Sequence, residues 1–405
     1  MSPRYALFLA LVSLSFFAYR NVSAARCHPD DKAGLLAFKS DITEDPSGML
    51  SDWKADTDCC QWKALFCGLT NRVQSIRLGG QPDNPKRYLS GTFSPLLSNL
   101  VQLDQIILSN NRFSGPIPDS LRRLNELYDL DLSGNRFSGE IPNFWDSFPK
   151  LLYLRLSNNE FIGGIPTSIA SLAPKLMYLE LGNNRLSGKI PEFISNFKAL
   201  DTLDLSSNLF SGVLPKSFKN LTKIFNLNLA RNNLVDPFPD LAVKGIESLD
   251  LSYNKFKLGK IPKWVTSSTI IYSLKLAGCG IKMRLDDWKP MRTYYYDFID
   301  LSDNEITGSA IKLVNSTEEL AGFWASGNQL KFNLSDLKMP ESLKYLDLSR
   351  NQVFGSVPHS IVGLEKLNLS YNSLCGKIPT SKFPAEAFAG NACLCGSPLP
   401  ACRIQ

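Results

Sequence analysis

The sequence predicts an α/β solenoid, a right-handed superhelix with a concave parallel β-sheet built from about 12–13 repeats of ~24 residues. Three observations support it: a recurring leucine pattern, an asparagine that returns once per repeat, and cysteines concentrated at the two ends. The stretch 103–118, LDQIILSNNRFSGPIP, has apolar residues at its first, fourth and sixth places, Asn at its ninth and an Ile-Pro close. The same frame begins again at Leu127, Leu151, Leu176 and Leu200.

The asparagine of this frame marks the repeats along most of the chain. Near-exact copies contain Asn111, Asn135, Asn159, Asn184 and Asn208, and looser copies place Asn232, Asn254, Cys279, Asn304, Asn328, Asn351 and Asn372 in register. This is the period of a leucine-rich repeat, whose units stack because one unit cannot bury its apolar face alone. We expect the amide to satisfy backbone groups where the chain leaves the strand, and Cys279 to be a small buried substitute.

The repeat also predicts which residues lie inside. Leu103, Ile106 and Leu108 should point into the core, with the residues between them pointing out. The Ser-Gly-x-Ile-Pro close is interpreted as a bend that returns the chain. Residues 80–88 (GQPDNPKRY) are predicted to form a surface loop. The Ile-Pro close is missing from Met283 to Met339, which predicts irregular convex geometry rather than a separate domain.

The first residues have the layout of an export signal. Arg4 precedes an apolar run from Ala6 to Tyr19, and Val22-Ser23-Ala24 offers a small-residue cleavage site. The run is short for a membrane anchor, and no second apolar stretch approaches spanning length. We therefore expect a secreted protein without a transmembrane anchor. The predicted organisation is a signal peptide at 1–25, an N-terminal cap at 26–72, a repeat array at 73–374 and a C-terminal cap at 375–405.

Both caps are rich in cysteine. Cys27, Cys59, Cys60 and Cys67 lie early, and Cys375, Cys393, Cys395 and Cys402 lie late, while Cys279 is alone inside the array. Export favours two disulfides per cap, with a connectivity that spacing does not determine. Zinc is the rival interpretation, but His28 and His359 are the only histidines, so we expect no metal and no cofactor.

The N-terminal cap should close one end of the core. Asp30 and Asp31 are predicted to cap a helix that contains Leu35, Leu36 and Phe38. The indoles of Trp53 and Trp62 should cover the first coil, which would otherwise expose apolar surface.

At both ends the chain resembles known families. The opening, ARCHPDDKAGLLAFKSDI followed by DTDCCQWKALFC, is similar to the N-terminal domain of plant extracellular leucine-rich repeat proteins. The ending, NSLCGKIPTSKFPAEAFAGNACLCGSPLPAC, resembles the C-terminal cap of plant polygalacturonase-inhibiting proteins. Similar caps and repeats occur in the ectodomains of plant receptor kinases and receptor-like proteins. The resemblance implies an apoplast or cell-wall location and the disulfides Cys27–Cys59, Cys60–Cys67, Cys375–Cys393 and Cys395–Cys402. Lys63-Ala64-Leu65 departs from the family's usual Gly-Val at this place.

Catalysis is not indicated. Two histidines suggest no Ser-His-Asp or Cys-His set, and the glycines follow the repeat period instead of a phosphate-binding motif. Asp129 and Asp131 share a strand face and formally mimic a glycosidase pair, but Asp between strand leucines is a common feature of this repeat. We expect that the protein is not an enzyme.

The solvent-facing strand positions predict the ligand-binding surface. Three columns of such positions on the concave sheet contain twelve acidic and four basic residues, although the chain without Arg4 and Arg20 carries 42 basic and 38 acidic residues. Aromatic residues of the type found at interface hot spots lie among them. The predicted contact residues are Asp129, Asp131, Tyr153, Arg155, Tyr178, Glu180, Asp201, Asp204, Phe225, Asp250, Tyr272, Phe298, Asp300, Trp324 and Asp347.

This surface predicts a protein partner with a basic surface, and it argues against nucleic acid, whose phosphates it would repel. The resemblance favours a polygalacturonase-inhibitor-like defence protein of the plant cell wall, acting on a fungal or plant polygalacturonase. Two alternatives stay open: a soluble partner of receptor-kinase ectodomains or peptide ligands, and a scaffold held to cell-wall pectin by the basic convex side. Four sequons, at Asn220, Asn315, Asn333 and Asn368, are candidate glycosylation sites.

Overall fold

The computed structural model describes residues 26–241, 245–268, 270–288 and 296–402, so the predicted export signal lies outside the described residues. One 14-stranded inner sheet runs through it. Its first strand is antiparallel to the second, and the remaining strands are parallel, one for each coil. The expected number of about 12–13 repeats is thereby confirmed. The strands are Leu65–Cys67, Val73–Arg77, Gln105–Ile107, Asp129–Asp131, Tyr153–Arg155, Tyr178–Glu180, Thr202–Asp204, Asn226–Asn228, Ser248–Asp250, Ser273–Lys275, Phe298–Asp300, Gly322–Trp324, Tyr345–Asp347 and Lys366–Asn368.

A second sheet forms mainly from the Phe-Ser-Gly segment of the repeat, which was expected only to bend the chain, and its first strand belongs to the N-terminal cap. Its eight strands are Ile42–Glu44, Ser90–Thr92, Arg112–Gly115, Arg136–Glu140, Glu160–Gly163, Arg185–Gly188, Leu209–Val213 and Asn233–Val235. The phenylalanine, or the leucine that replaces it at 186 and 234, is buried, and the rings of Phe113, Phe137 and Phe161 stack at 6.2 and 6.4 Å. This stacking holds neighbouring segments at strand spacing, so their backbones pair before the Ile-Pro dipeptide turns the chain. Two small sheets follow, Thr307–Gly308 with Gln329–Leu330, and Phe354–Gly355 with Ser373–Lys377 and Cys393–Cys395.

Helical segments connect the sheets on the convex side. Among residues that the structure describes, three of these segments are α-helices: α1 (Pro29–Ser40), α2 (Lys263–Thr266) and α3 (Ile311–Asn315). The others are 3-10 helices at Cys59–Gln61, Pro95–Asn99, Asp119–Arg123, Trp145–Ser147, Thr167–Leu172, Glu192–Asn196, Lys216–Asn220, Leu285–Asp287, Leu334–Asp336, His359–Gly363 and Ala385–Phe388. Between Met283 and Met339 short 3-10 helices alternate with α3, while the inner strands continue.

The repeat asparagines join adjacent coils as expected. Asn135 donates to the carbonyls of Leu108 and Leu132 and accepts from the Phe113 amide, at 2.9 to 3.0 Å. One buried amide therefore satisfies backbone groups of two successive coils. Cys279 is buried and free, and its sulfur lies 3.4 Å from the Leu251 carbonyl oxygen.

The N-terminal cap differs from the prediction in one respect. His28, and not Asp30 or Asp31, is the N-cap of α1, since its Nδ1 accepts from the Asp30 amide at 3.2 Å. Asp31 is instead fully buried in the first turn, where it accepts from Arg72 Nη2 and Nε at 2.6 and 2.9 Å and from the Val73 amide at 2.8 Å. These bonds offset the cost of burying its charge. Ala64 has a φ of 66°, in the left-handed region that favours glycine.

The ends of the solenoid are closed as predicted. Trp53 and Trp62 are buried and stack with centroids 5.3 Å apart. The four disulfides implied by the resemblance are confirmed: Cys27–Cys59, Cys60–Cys67, Cys375–Cys393 and Cys395–Cys402. In the described residues, the one group that resembles a metal site consists of Cys27, Asp58, Cys59 and Cys60, and its thiols are used in these bonds.

Candidate functional site

The inner sheet aligns the predicted contact residues in columns. The first column contains, in register on successive strands, Asp131, Arg155, Glu180, Asp204, Asn228, Asp250, Lys275, Asp300, Trp324 and Asp347. A second column contains Tyr153, Tyr178, Phe298 and Tyr345. Because adjacent strands lie about 4.8 Å apart, each column is a continuous row of side chains.

The aspartates of the first column have a structural role that sequence reasoning missed. In each case Oδ1 accepts from the backbone amide two residues later: Asp131 from Ser133, Asp204 from Ser206, Asp250 from Ser252, Asp300 from Ser302 and Asp347 from Ser349, at 2.9 to 3.0 Å. Asn228 and Asn368 make the same bond at 3.2 Å. One carboxylate oxygen thus closes the turn after the strand, and the other oxygen does not take part in this turn bond. The repeated Leu-Asp-Leu-Ser sequence could have indicated this turn bond, because Asp side chains commonly hydrogen-bond to the backbone two residues later.

Part of the acidic charge at the N-terminal end of the face is paired within the chain. Gln105 accepts from Arg77 Nε at 2.6 Å and donates to Asp129 at 2.9 Å, and both Gln105 and Asp129 are buried. Arg155 pairs with Asp129 at 2.8 Å and lies 3.8 Å from Glu180. Arg155 thus offsets the charges of Asp129 and Glu180, whereas Asp104 and Asp131 have no ion pair within the described ranges. The Asp129–Asp131 pair has both members in structural bonds, which disfavours a glycosidase role.

Arg155 also lies above two aromatic rings. Its guanidinium carbon is 5.1 Å from the Tyr153 centroid and 5.4 Å from the Tyr178 centroid, and these rings meet edge to face at 5.1 Å. An arginine thus lies over two aromatic rings and between two carboxylates.

The central part of the face retains unpaired acidic groups. Lys275 lies 4.0 Å from Asp250, but in the described ranges no Lys or Arg nitrogen is within that distance of Asp201, Asp204 or Glu247. Phe225 and Tyr272 are 40% and 38% exposed beside them. This is a negatively charged surface with accessible aromatic groups.

Two carboxyl groups of the first column are held partly out of water. Burial raises the pKa of Glu180, although the neighbouring Arg155 charge acts against this. Burial likewise raises the pKa of Asp300, with the bonds from Ser302 opposing the shift. Both carboxylates would gain from a nearby cation that a ligand could supply.

A row of aromatic rings occupies the C-terminal part of the face. Phe298 and Trp324 lie 6.2 Å apart at an interplanar angle of 25°, and Trp324 and Tyr345 lie 6.0 Å apart at 15°. Phe298 and Trp324 are among the predicted contact residues and Tyr345 is not, and the stacking of the three rings was not predicted. Sequence reasoning also missed Gly322, which leaves the space that the Trp324 indole fills.

The sequons differ in their surroundings. Asn220 is exposed, at the end of a 3-10 helix, and no side-chain hydrogen bond of this amide is found within the described part of the chain. Asn315 accepts from the Lys338 amide at 2.9 Å, while Asn333 and Asn368 accept from Ser335 and Ser370 of their own sequons. We propose Asn220 as the most accessible of the four glycosylation sites.

Comparison with known proteins places these features in context. A leucine rich repeat N-terminal domain model matches residues 28–68, and leucine rich repeat models match 102–124, 126–148, 150–172, 174–234, 245–268, 342–364 and 363–381. Polygalacturonase inhibitor 2 of Arabidopsis thaliana is 39% identical over 111 residues, which is 26% of this chain and 34% of that protein. The chain thus spans about a third of the length of the curated inhibitors it matches.

Solved structures agree on the fold. The PEPR1-AtPEP1 crystal structure matches with a TM-score of 0.59 and 26% identity, covering 86% of this chain and 56% of that one. The Arabidopsis HAESA ectodomain, in complex with an IDA peptide hormone ligand, matches with a TM-score of 0.56 and 22% identity, covering 92% and 99%, which is a likeness of fold. None of the helices in the described part of the chain is both long and apolar enough to cross a bilayer. With matched models that together cover more than half of its length, and with the stacked coils described above, the chain belongs to the leucine-rich repeat proteins.

Proposed function

We propose that this chain is a secreted recognition protein whose inner sheet binds a protein ligand with a basic surface, and that the ligand is a polygalacturonase. The observation that carries the proposal is the column from Asp204 to Asp347, in register on successive strands and largely without internal cations in the central coils. The likeness to polygalacturonase inhibitors supports the choice of ligand.

The inhibition would work by occlusion. A polygalacturonase binds a polyanionic substrate, so its cleft should be lined with basic side chains, and the acidic column would compete for them. The ligand would also relieve repulsion between Glu180 and Asp204, which are register partners on adjacent strands; such an opposed pair costs a few tenths of a kcal/mol or more.

The test isolates charge from folding. Asp204→Asn with Asp250→Asn removes two charges and keeps the turn bonds, since Asn228 makes the same bond in the native chain. The matched control is Asp119→Asn with Asp146→Asn, two exposed convex carboxylates without side-chain bonds to other described residues. We expect the inner-sheet variant to weaken binding to, and inhibition of, a panel of fungal and plant polygalacturonases about tenfold. The control should match the native chain, and rising salt should reduce the difference.

Equal binding by the two variants would contradict the acidic-surface proposal. Absence of inhibition across the panel, combined with capture of a receptor-kinase ectodomain or a peptide, would favour the second candidate function. The fold shared with the PEPR1-AtPEP1 structure over 86% of this chain favours that candidate. Retention on polygalacturonate that salt elutes, unchanged in the inner-sheet variant, would indicate the pectin scaffold.

A further inference from the structure

The aromatic row consists of the rings of Phe298, Trp324 and Tyr345, which are stacked with a lateral offset. Its rings are nearly parallel, yet their centroids are 6.0 and 6.2 Å apart. Fully overlapping rings in contact would lie about 3.5–4.0 Å apart, so these rings are strongly offset. Each ring therefore leaves part of its face uncovered by its neighbours in the row, and Trp324 and Tyr345 remain partly exposed.

Gly322 fixes the position of the indole. A Cβ atom at this residue would lie 2.3 Å from Trp324 Cη2 and 2.4 Å from Cζ3. The indole therefore lies directly against the bare strand, in the space that any other side chain at 322 would occupy. This is a defined surface, since the backbone below and the flanking rings restrict the indole.

Two carboxylates flank this surface. Asp300 and Asp347 are the register partners of Trp324 on the strands to either side. Their Oδ1 atoms accept from the Ser302 and Ser349 amides, which leaves Oδ2 of Asp300 available for a ligand. Oδ2 of Asp347 accepts from Asn368 Nδ2 at 3.4 Å, a long bond that a guanidinium can displace. In the ranges the structure describes, no Lys or Arg nitrogen comes within 4.0 Å of either carboxylate.

The same chain contains an occupied version of this arrangement. Arg155 lies over Tyr153 and Tyr178, with Asp129 at 2.8 Å and Glu180 at 3.8 Å. At Trp324 the aromatic rings and the two carboxylates are present, but Trp324 itself stands at the column position that Arg155 occupies. A cation of the chain also lies over the C-terminal ring of the row, since Lys366 Nζ is 5.9 Å from the Tyr345 centroid.

We propose that Trp324, with Asp300 and Asp347, is the anchor site for an arginine side chain of the protein ligand. The guanidinium stacks on the exposed part of the indole and donates hydrogen bonds to the two carboxylates. Arginine is favoured over lysine because its planar, weakly hydrated group can stack and donate at the same time. This inference rests on the proposed function, because it presumes that the inner sheet is the binding surface.

The direct test uses a defined probe and a local signal. The full chain, labelled with 5-fluorotryptophan, is titrated with the blocked peptide acetyl-Gly-Gly-Arg-Gly-Gly-amide and with its citrulline and lysine counterparts, while fluorine NMR follows the six indoles. Trp324→Leu identifies its own signal by its loss. We expect the arginine peptide to shift the Trp324 signal, with an apparent Kd about five- to tenfold below that of the citrulline peptide. Asp300→Asn with Asp347→Asn should remove most of that difference and keep both turns.

Several outcomes would overturn the arginine site. Equal shifts with the arginine and citrulline peptides would exclude a role for charge, and equal affinity of the lysine peptide would exclude the stacked geometry. A Trp324 signal that does not move would exclude the site altogether.

Binding of the protein ligand separates this inference from the proposed function. If Trp324→Leu binds a polygalacturonase as well as the native chain does, while Asp204→Asn with Asp250→Asn does not, the arginine site is wrong and the proposed function stands. If neither variant loses binding, both are wrong. Phe225→Leu, at an exposed aromatic position elsewhere on the sheet, is the control for loss of ring area. Gly322→Ala, which displaces the indole without removing it, should reproduce the effect of Trp324→Leu.

Discussion

The carboxylate of Asp300 closes a turn after one inner strand and also lies beside the proposed arginine site at Trp324. One oxygen holds the Ser302 amide at 2.9 Å, and the group lies partly buried beside Trp324. The burial raises the pKa of Asp300, so the native protein prefers the protonated form more than the unfolded chain does. This contribution to folding is complete below the unfolded pKa of about 4 and is lost as pH rises through the raised native pKa. The ionised group therefore destabilises the native state at neutral pH.

Asp300→Asn should accordingly stabilise the chain. The amide oxygen can keep the bond to Ser302, as Asn228 does with Ala230, while the cost of burying a charge disappears. We expect the free energy of unfolding at pH 7 to rise by a few tenths to about 1 kcal/mol, and the advantage over the native chain to shrink near pH 4. Urea unfolding at both pH values measures this. A stabilisation that does not depend on pH would show that charge burial is not its cause, and Asp146→Asn serves as an exposed control.

At the scale of one repeat, the asparagine ladder holds successive coils together. Asn208 donates to the carbonyls of Leu181 and Leu205 at 2.9 and 3.2 Å, and its Oδ1 accepts from the Leu186 amide at 2.9 Å. It is buried, so these backbone groups have no access to solvent as a substitute.

Asn208→Ala should therefore cost about 3–5 kcal/mol, since each buried group left unpaired costs about 1–3 kcal/mol. Asn208→Cys should cost less, because a thiol can reach a carbonyl, as Cys279 does with Leu251 at 3.4 Å. Chemical denaturation of the three chains gives the order native, Cys, Ala. If the alanine chain were as stable as the native one, the ladder would contribute little to the stacking of coils.

Part of the structure of one repeat could be predicted from the sequence. The leucine and asparagine spacing predicted the inner strands and their register, because each position reports the same local environment in every copy. The second sheet was not predicted, since Phe-Ser-Gly reads as a turn until the stacking of Phe113, Phe137 and Phe161 brings the segments together. The turn bonds of the column aspartates were missed for a similar reason. Composition gives the number of charged groups, but it does not show which backbone amide donates to each carboxylate oxygen.

For the whole molecule, the sequence predicted which residues lie on the candidate face more accurately than it predicted the charge distribution of that face. Membership of the columns followed from the two-residue period of a strand. The pairing of Arg155 with Asp129 and the placement of Trp324 over Gly322 depend on side-chain conformations across neighbouring coils, which periodicity does not specify. The disulfide connectivity needed the family resemblance for the same reason.

The central position of Cys279 offers a probe of the intact solenoid. Burial raises the pKa of its thiol, so the reactive thiolate is strongly disfavoured in the native state. The other eight cysteines are in disulfides, so one thiol per chain is expected to react. We expect Ellman's reagent at pH 8 to label less than about a tenth of the chains in an hour without denaturant and one thiol per chain in guanidinium. Prompt labelling of the native chain would show that the central coils open locally, and Cys279→Ser provides the blank.

The shared turn bond of Asp204 and Asn228 has an evolutionary consequence. The codons of these two amino acids differ by one base, and either side chain closes the coil. Mutation can therefore add or remove negative charge at almost any step of the column without a folding defect to be repaired first. Selection for binding to changing ligands can thus alter the charge of the inner sheet one residue at a time, while the solenoid fold stays the same.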